Sequence, residues 1–194
     1  MDTGDKDTGD KDPGDQDTGE IILDGAGYRV AGKSILSGLD LRLTEARIGI
    51  VGRNGSGKST LLRLMAGLIA PSVGRVRVGG LDPAQDRRAM LARVGIVFQN
   101  PDHQIIFPTV VEELAFGLRQ IGVADPNAQA RALLAEHGRA HWADAPVQTL
   151  SHGQRHFLCL LSVLAMAPAT ILLDEPFAGF DLPTQARLAR VLDG

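Results

Sequence analysis

The chain has 194 residues, of which 44% are apolar, and its 20 lysines and arginines face 23 aspartates and glutamates. Seven of those aspartates and two lysines lie in the repeat at 2–19, so residues 20–194 are nearly neutral, which argues against sequence-independent binding of nucleic acid or of an anionic membrane. The single cysteine excludes an internal disulfide and a zinc site built on cysteines.

The repeat DTGDK, DTGDK, DPGDQ, DTG is the first predicted element. It contains no large apolar side chain, so we expect residues 1–19 to form a disordered acidic tail. Its aspartates do not follow the order of a calcium-binding loop, and no glutamate closes such a loop. Residues 20–194 have enough apolar content for one folded domain.

The rest of the chain alternates strand-like and helix-like patterns. We expect antiparallel strands at 21–23 and 39–43, a buried strand at 47–51, a helix at 58–68, a strand at 75–78, a helix at 83–93 and a strand at 94–98. Residues 110–141 are mostly helical in pattern, and a helix at 151–166, a strand at 170–173 and a helix at 183–192 follow. This alternation indicates an α/β fold with a partly parallel sheet.

A glycine-rich stretch follows the strand predicted at 47–51. Residues 52–59 read GRNGSGKS, which fits the phosphate-binding pattern G-x-x-x-x-G-K-[ST]. Glycines let backbone N–H groups converge on phosphate oxygens, and the next helix adds its unpaired N-terminal N–H groups. Lys58 is expected to reach the β- and γ-phosphates, Ser59 to bind Mg²⁺, and Thr60 to bond a phosphate oxygen. The predicted nucleotide-binding residues here are Gly52, Arg53, Asn54, Gly55, Ser56, Gly57, Lys58, Ser59 and Thr60.

Two adjacent carboxylates, Asp174 and Glu175, follow the apolar residues 171–173. Because neighbours in a strand point to opposite sides, Asp174 can approach a metal through water while Glu175 faces an attacking water as a general base. Two acidic residues at a strand end are also common in solvated turns. The phosphate-binding pattern favours the catalytic interpretation.

The sequence LSHGQ at 150–154 resembles the LSGGQ signature of ATP-binding cassette (ABC) ATPases. With the phosphate loop, the carboxylate pair and Gln99, the resemblance covers essentially all of 20–194. It implies a P-loop NTPase core of ABC type with an antiparallel β subdomain and a helical signature subdomain at about 100–166. It also implies a head-to-tail dimer, with itself or with a paralogue, in which Ser151, Gly153 and Gln154 contact the ATP bound by the partner.

The same resemblance assigns further roles. Gln99 would reach the metal and the attacking water, and its loop would touch a membrane partner. Residues 178–181 resemble the loop that crosses the dimer interface. Adenine usually stacks on an aromatic residue of an early strand; alignment places Val30 there, with Tyr28 on the same strand face, and either could pack the base.

The sequence departs from the family pattern in two places. His152 stands where the signature has glycine, so we expect either a negative φ there or a weaker closed dimer; an exposed histidine without a role is an equal interpretation. No histidine follows Glu175, although the family has a switch histidine beyond that position, and a sheet-completing strand is also missing. We therefore expect a C-terminally shortened cassette.

The segments VGIVFQNPDHQ at 94–104 and PTVVEELAFG at 108–117 resemble the energy-coupling-factor subgroup, which drives uptake of vitamins and transition metal ions. The sequences at 150–154 and 174–181 are similar to those of biotin-uptake ATP-binding subunits, and the cobalt and nickel ATPases are nearly as similar. The resemblance implies hydrolysis of ATP with Mg²⁺ by a peripheral subunit on the cytoplasmic face of the membrane. Its implied partners are a second ATPase subunit, a transmembrane coupling protein docking near 99–120, and a substrate-binding membrane protein; nucleic acid is not among them.

Three alternatives remain open at this point. The helix after Gln99 could serve packing alone. The chain could be a nucleotide-binding module that does not hydrolyse ATP, because the switch histidine is missing. It could also be a soluble cassette of translation or DNA maintenance, although such proteins usually carry tandem cassettes or long coiled-coil insertions.

Overall fold

The computed structural model describes residues 19–177 and, beyond them, Gln185 and Ala189. Its elements are β1 (Ile21–Val30), β2 (Lys33–Leu43), α1 (Lys58–Met65), β3 (Val73–Val78), α2 (Arg87–Arg93), β4 (Val94–Val97), α3 (Val110–Gln120), α4 (Pro126–Glu136), α5 (His152–Leu164) and β5 (Thr170–Leu173). Short 3-10 turns lie at Pro101–His103, Ala140–Trp142 and Val147–Thr149. Almost all of the predicted tail, the loop at 178–181 and most of the helix predicted at 183–192 lie outside the described residues. Within the described part, no helix combines the length and the apolarity needed to cross a bilayer.

The strands form two sheets. β1 pairs antiparallel with β2 on one edge and with β3 on the other. β4 and β5 form a parallel pair in which Val97 lies opposite Leu173. The predicted α/β fold with an antiparallel subdomain is therefore confirmed. Because the carboxyl ends of parallel strands lie at one edge, the segments that follow β4 and β5 leave the sheet side by side.

Two apolar clusters pack against opposite faces of the β4–β5 pair. The first is built mainly from α3, α4 and α5, and the second from β1, β3 and α1. Alternate residues of the two strands face opposite clusters, as the period of a strand requires. Val97, Ile171 and Leu173 join the first cluster, and Val94, Ile96 and Leu172 join the second. Trp142 and Cys159 are buried in the first cluster and serve its packing.

Local hydrogen bonds fix where the helices of the first cluster begin. The Asp125 carboxylate accepts a hydrogen bond from the N–H of Ala128 at 3.0 Å, with Pro126 in the first turn of α4. At α5, the Ser151 hydroxyl accepts from the N–H of Gln154 at 3.3 Å, and the Gln154 side chain accepts from the N–H of Ser151 at 2.7 Å. These caps satisfy N–H groups that a helix otherwise leaves unpaired.

The strand predicted at 47–51 does not form. Ile48, Ile50 and Val51 are 44%, 38% and 92% exposed and lie outside any strand or helix. A cleft of about 1050 Å³ separates this segment from β5. A strand needs a neighbour for its N–H and C=O groups, and the described residues place none beside 47–51. The strand predicted from the apolar residues at 47–51 is therefore wrong.

The helix predicted at 83–93 begins only at Arg87. The Asp82 carboxylate accepts from the N–H groups of Ala84 at 2.9 Å and Gln85 at 3.3 Å. This side-chain turn competes with the helix for the same N–H groups, so residues 82–86 form a turn instead.

Replacing Leu158 by alanine tests how far α5 supports the first cluster. The side chain is fully buried, so Leu158→Ala should lower the free energy of unfolding by about 2–5 kcal/mol through lost contacts and a residual cavity. Urea denaturation of the chain measures this change. Leu91→Ala is the matched control: Leu91 is 52% exposed, so a change within about 0.5 kcal/mol is expected. Equal effects of the two substitutions would contradict this packing.

His156 makes the stability of α5 dependent on pH. Burial lowers the pKa of His156, and the charge of His152 one turn earlier lowers that pKa further. The folded chain therefore favours neutral His156, whereas the unfolded chain protonates this residue at its ordinary pKa of about 6.5. Stability from this residue is present above that value and is lost as the pH falls through and below it.

We expect the midpoint temperature of thermal unfolding to decrease when the pH is lowered from about 7.5 to about 5.5. The decrease should be smaller in His156→Gln. Thermal unfolding followed by circular dichroism at the two pH values gives the difference. His103→Gln, at an exposed histidine, should retain the wild-type dependence. If His156→Gln and wild type lose stability in parallel, His156 is not the group responsible.

Candidate functional site

The phosphate-binding pattern forms an exposed turn that leads directly into α1. Gly55 and Gly57 have φ values of +77° and +94°, a region that favours glycine. A Cβ on Gly57 would also lie 2.8 Å from Cδ2 of Leu36 in β2. Both the backbone and the neighbouring strand therefore require glycine at 57.

The side chain of Lys58 lies back over its own loop. Its Nζ donates to the carbonyl oxygens of Gly52 at 2.9 Å and Arg53 at 3.2 Å. The Arg53 carbonyl also accepts from the N–H of Ser56 at 3.1 Å, which closes the turn. The loop thus places an ammonium group at its centre, next to the N-terminus of α1, where an anion is favoured. Arg53, Asn54 and Ser56 are exposed, and Thr60 is half-buried in the first turn of α1.

Ser59 and Asp174 are 115 residues apart in the chain but meet in the fold. The Ser59 hydroxyl donates to Oδ1 of Asp174 at 3.0 Å. The Asp174 carboxylate is only 7% exposed, and its backbone N–H extends the β4–β5 ladder by donating to the carbonyl of Val97 at 3.0 Å. Two oxygen ligands on adjacent positions of an octahedral Mg²⁺ are about 3 Å apart, so the spacing suits that ion.

Gln99 and Glu175 form the second pair. Nε2 of Gln99 donates to Oε2 of Glu175 at 2.8 Å. Each residue lies two positions beyond the opposed residues Val97 and Leu173, which explains why the side chains meet. Glu175 has a left-handed backbone with φ +50°, which is unusual for a residue with a side chain. The regular strand has already ended at Leu173, so the alternation of a strand does not set the directions of Asp174 and Glu175 as the sequence predicts.

The signature residues lie at the start of α5. The side chains of Ser151 and Gln154 bond to each other's backbone, and Gly153 is half-buried. His152 is exposed and is the first helical residue, so its φ is negative and its side chain causes no backbone strain. The structure therefore has the negative φ that is one of the two expectations for His152.

The two residues considered for adenine lie on the β1–β2 hairpin beside the phosphate loop. Tyr28 is half-buried and packs in the second cluster, whereas Val30 is 51% exposed next to the hairpin turn. Tyr28 is paired with Leu36, the residue that lies against Gly57. The hairpin therefore forms a wall next to the loop.

The cleft between 47–51 and β5 opens at this site, with Lys58, Asp174 and Glu175 among the residues that line it. Its interior is formed largely by apolar side chains such as Ile48, Leu62 and Ile171, which do not suit phosphate oxygens. Among the described residues, no group of three or more histidines, cysteines, aspartates or glutamates could hold a metal ion. A cation at Ser59 and Asp174 would therefore need phosphate oxygens to complete its shell, as Mg²⁺ commonly does.

Glu113 has a structural role that the sequence does not predict. The Glu113 carboxylate is only 6% exposed and accepts from the N–H groups of Ile106 and Phe107, both at 2.9 Å. These bonds fix the loop before α3 and leave Ile106 72% exposed. Acidic residues are common in the first turn of a helix, where they are usually exposed, so the sequence does not indicate that Glu113 is buried.

Comparison with known proteins places this geometry in a family. The family model described as ABC transporter matches residues 36–178. The chain is 58% identical to the biotin transport ATP-binding protein BioM of Rhodobacter capsulatus over 164 residues, 81% of this chain and 70% of that protein. It is 38% identical to the energy-coupling factor transporter ATP-binding protein EcfA of Methanosphaera stadtmanae, over 77% of this chain and 56% of that protein.

A solved structure agrees with the sequence relatives. The structure of cbiO1 from Clostridium perfringens, described as part of the ABC transporter complex cbiONQ, superposes with a TM-score of 0.73 and 28% identity. The match covers 91% of this chain and 73% of that one. The paired site at the ends of β4 and β5, the family model and these relatives lead to one conclusion: the chain belongs to the ABC transporter family.

Proposed function

We propose that this chain binds and hydrolyses ATP with Mg²⁺ as the ATP-binding subunit of an energy-coupling-factor importer, with biotin as the favoured solute. The observation that carries the proposal is the convergence of two side-chain pairs, Ser59 with Asp174 and Gln99 with Glu175, beside the phosphate loop. A structural role alone would not require a serine, two carboxylates and an amide at one sheet edge next to a lysine-bearing glycine loop.

The phosphate loop binds the β- and γ-phosphates. Residues 52–60 present backbone N–H groups from the loop and the first turn of α1, and Lys58 exchanges its two loop carbonyls for phosphate oxygens. Ser59 and Asp174 hold the metal, directly or through water, with Gln99 as a further ligand. When bound, Mg²⁺ neutralises charge that develops on the phosphates. Val30 and Tyr28 are the residues proposed to pack the adenine.

Glu175 acts as the general base on the attacking water. Its carboxylate is exposed and accepts from Gln99, so it can also accept a proton from a water held between the two side chains. Gln99 orients that water and fixes one carboxylate oxygen of Glu175. The amide of glutamine suits this role because it can donate to the carboxylate while its oxygen accepts from the water.

The second copy completes the site. We propose a head-to-tail dimer in which Ser151, Gly153 and Gln154 of one subunit face the γ-phosphate bound by the other. The N-terminus of α5 is polarised for such contact. The Ser151–Gln154 cap keeps the first turn in shape, and exposed His152 lies on the same turn.

The solute is inferred from the relatives, because an ATPase subunit of this kind does not touch the solute. One relative is named as a biotin transport ATP-binding protein and another as an energy-coupling factor transporter ATP-binding protein. These names favour a transmembrane coupling protein and a substrate-binding membrane protein as partners at the cytoplasmic face. We propose that the coupling protein docks on the loop before α3. Ile106 is exposed there and its backbone is fixed by Glu113, and the rings of the neighbouring Phe107 and of Phe116 contact each other in a tilted arrangement with centroids 5.0 Å apart.

Replacing the base gives the most direct functional variant. Glu175→Gln should keep ATP binding but lower the rate of hydrolysis about 10²–10⁴-fold, because the amide cannot take the proton. ATP should also hold this variant as a dimer, detectable by size-exclusion chromatography with ATP and Mg²⁺.

Glu136→Gln is the matched control, since Glu136 is exposed at the end of α4 and is not among the residues that line the cleft at the site. Equal hydrolysis rates for wild type and Glu175→Gln would refute the assigned base. A wild-type chain that binds ATP yet releases no phosphate with its membrane partners would support the non-hydrolysing module instead.

The proposed docking loop and the proposed solute are both tested in cells that depend on this subunit for biotin uptake. Ile106→Asp should weaken co-purification with the membrane components and lower uptake of labelled biotin, because it places a charge in an apolar contact. Leu91→Asp, at another exposed aliphatic residue, should leave both unchanged. Uptake of labelled cobalt or nickel in place of biotin would overturn the solute assignment, and normal uptake with Ile106→Asp would overturn the docking loop.

A further inference from the structure

We propose that Gln104 is a positioning residue that couples the segment carrying Gln99 to the helix that begins with the signature. This inference rests on the function proposed above, since it concerns how the chain's own nucleotide affects the surface offered to its partner. Neither the family pattern of the signature nor the phosphate loop includes this residue.

The Gln104 side chain bridges two backbones. Its Oε1 accepts from the N–H of Phe98 at 3.3 Å, one residue before Gln99. Its Nε2 donates to the carbonyl of Cys159 at 3.2 Å, in the middle of α5. The residue is half-buried, and Cys159 is 1% exposed, so water competes little for these groups.

The chemistry of both ends explains why a glutamine stands here. β4 ends at Val97, so the N–H of Phe98 needs an acceptor outside the β4–β5 ladder. The Cys159 carbonyl lies within a helix but has a second lone pair for another donor. A primary amide can serve both needs at once, whereas a carboxylate can only accept and an apolar side chain can do neither.

A second contact joins the same two elements. Oδ1 of Asp102 lies 3.2 Å from Nε of Arg155, and Nη1 of Arg155 donates to the carbonyl of Leu150 at 2.9 Å, directly before the signature serine. The Asp102 side chain is 61% exposed, so this ion pair is weak by itself. The bridge through the half-buried Gln104 is therefore the contact on which the proposal rests.

These contacts form a continuous path from the carboxylate base to the start of α5. Glu175 accepts a hydrogen bond from Gln99, the preceding residue Phe98 donates its N–H to Gln104, and Gln104 donates to a carbonyl in the middle of α5. α5 is a single helix of 13 residues, so a displacement at Cys159 moves its first turn as well. Nucleotide that draws Gln99 away from Glu175 would therefore shift the signature surface of the same subunit.

Hydrogen exchange of the wild-type chain and of Gln104→Met tests this coupling. Methionine is unbranched and close to glutamine in size but forms neither hydrogen bond. ATP with Mg²⁺ should change exchange at residues 150–156 of wild type, and Gln104→Met should lose most of that change. Its affinity for a fluorescent ATP analogue should stay within about twofold of wild type, because the phosphate loop is untouched. A residue that serves stability alone would not separate these two measurements.

Gln129→Met is the matched control, at an exposed glutamine on α4, and should behave as wild type. If Gln104→Met does not fold, Gln104→Glu replaces it: this variant keeps the acceptor for Phe98 but loses the donor to Cys159, and the same loss is expected. A full nucleotide-dependent change in the folded Gln104 variant overturns the proposal. So does a wild-type chain that binds nucleotide without any change at 150–156. A wild-type chain that binds no nucleotide refutes the proposed function itself, and this inference with it.

Discussion

The parallel pairing of β4 with β5 is the constraint on which the site depends. Because Val97 lies opposite Leu173, the residues two positions further, Gln99 and Glu175, reach the same edge and bond at 2.8 Å. The ladder continues through the N–H of Asp174, which holds that carboxylate in a fixed, buried position. A slip of one residue in this register would turn every side chain of β5 to the opposite cluster and separate both pairs.

The two apolar clusters connect the site at the ends of β4 and β5 to the rest of the described fold. α1 carries Lys58 and Ser59 on the second cluster, and α5 carries the signature on the first. The β4–β5 pair lies between them and contributes side chains to both. In the proposed function, a nucleotide bound at the sheet edge would contact groups supported by each cluster, and the proposed link through Gln104 gives the first cluster a direct connection to that edge.

Part of the geometry of the candidate site could be predicted from the sequence because its motifs reflect local backbone requirements. The glycines at 55 and 57 indicate a left-handed turn, and the resemblance to ABC ATPases assigns Gln99 and Glu175 to one site, whereas the register that brings them together is visible only in the structure. The strand at 47–51 could not be excluded from sequence, because its failure to form depends on what lies beside it. The left-handed backbone of Glu175, the burial of Glu113 and the bridge of Gln104 likewise depend on tertiary contacts. The late start of α2 has a local cause instead, the turn that the Asp82 side chain forms.

Calorimetric titration of the wild-type chain with ATP, in the presence and absence of Mg²⁺, tests the central claim most directly. If Ser59 and Asp174 hold the metal against the phosphates on the loop, the chain will bind one ATP with measurable heat, and removing Mg²⁺ will weaken that binding. Absence of heat under both conditions, or an affinity indifferent to Mg²⁺, would contradict the assignment of this sheet edge as a metal–nucleotide site.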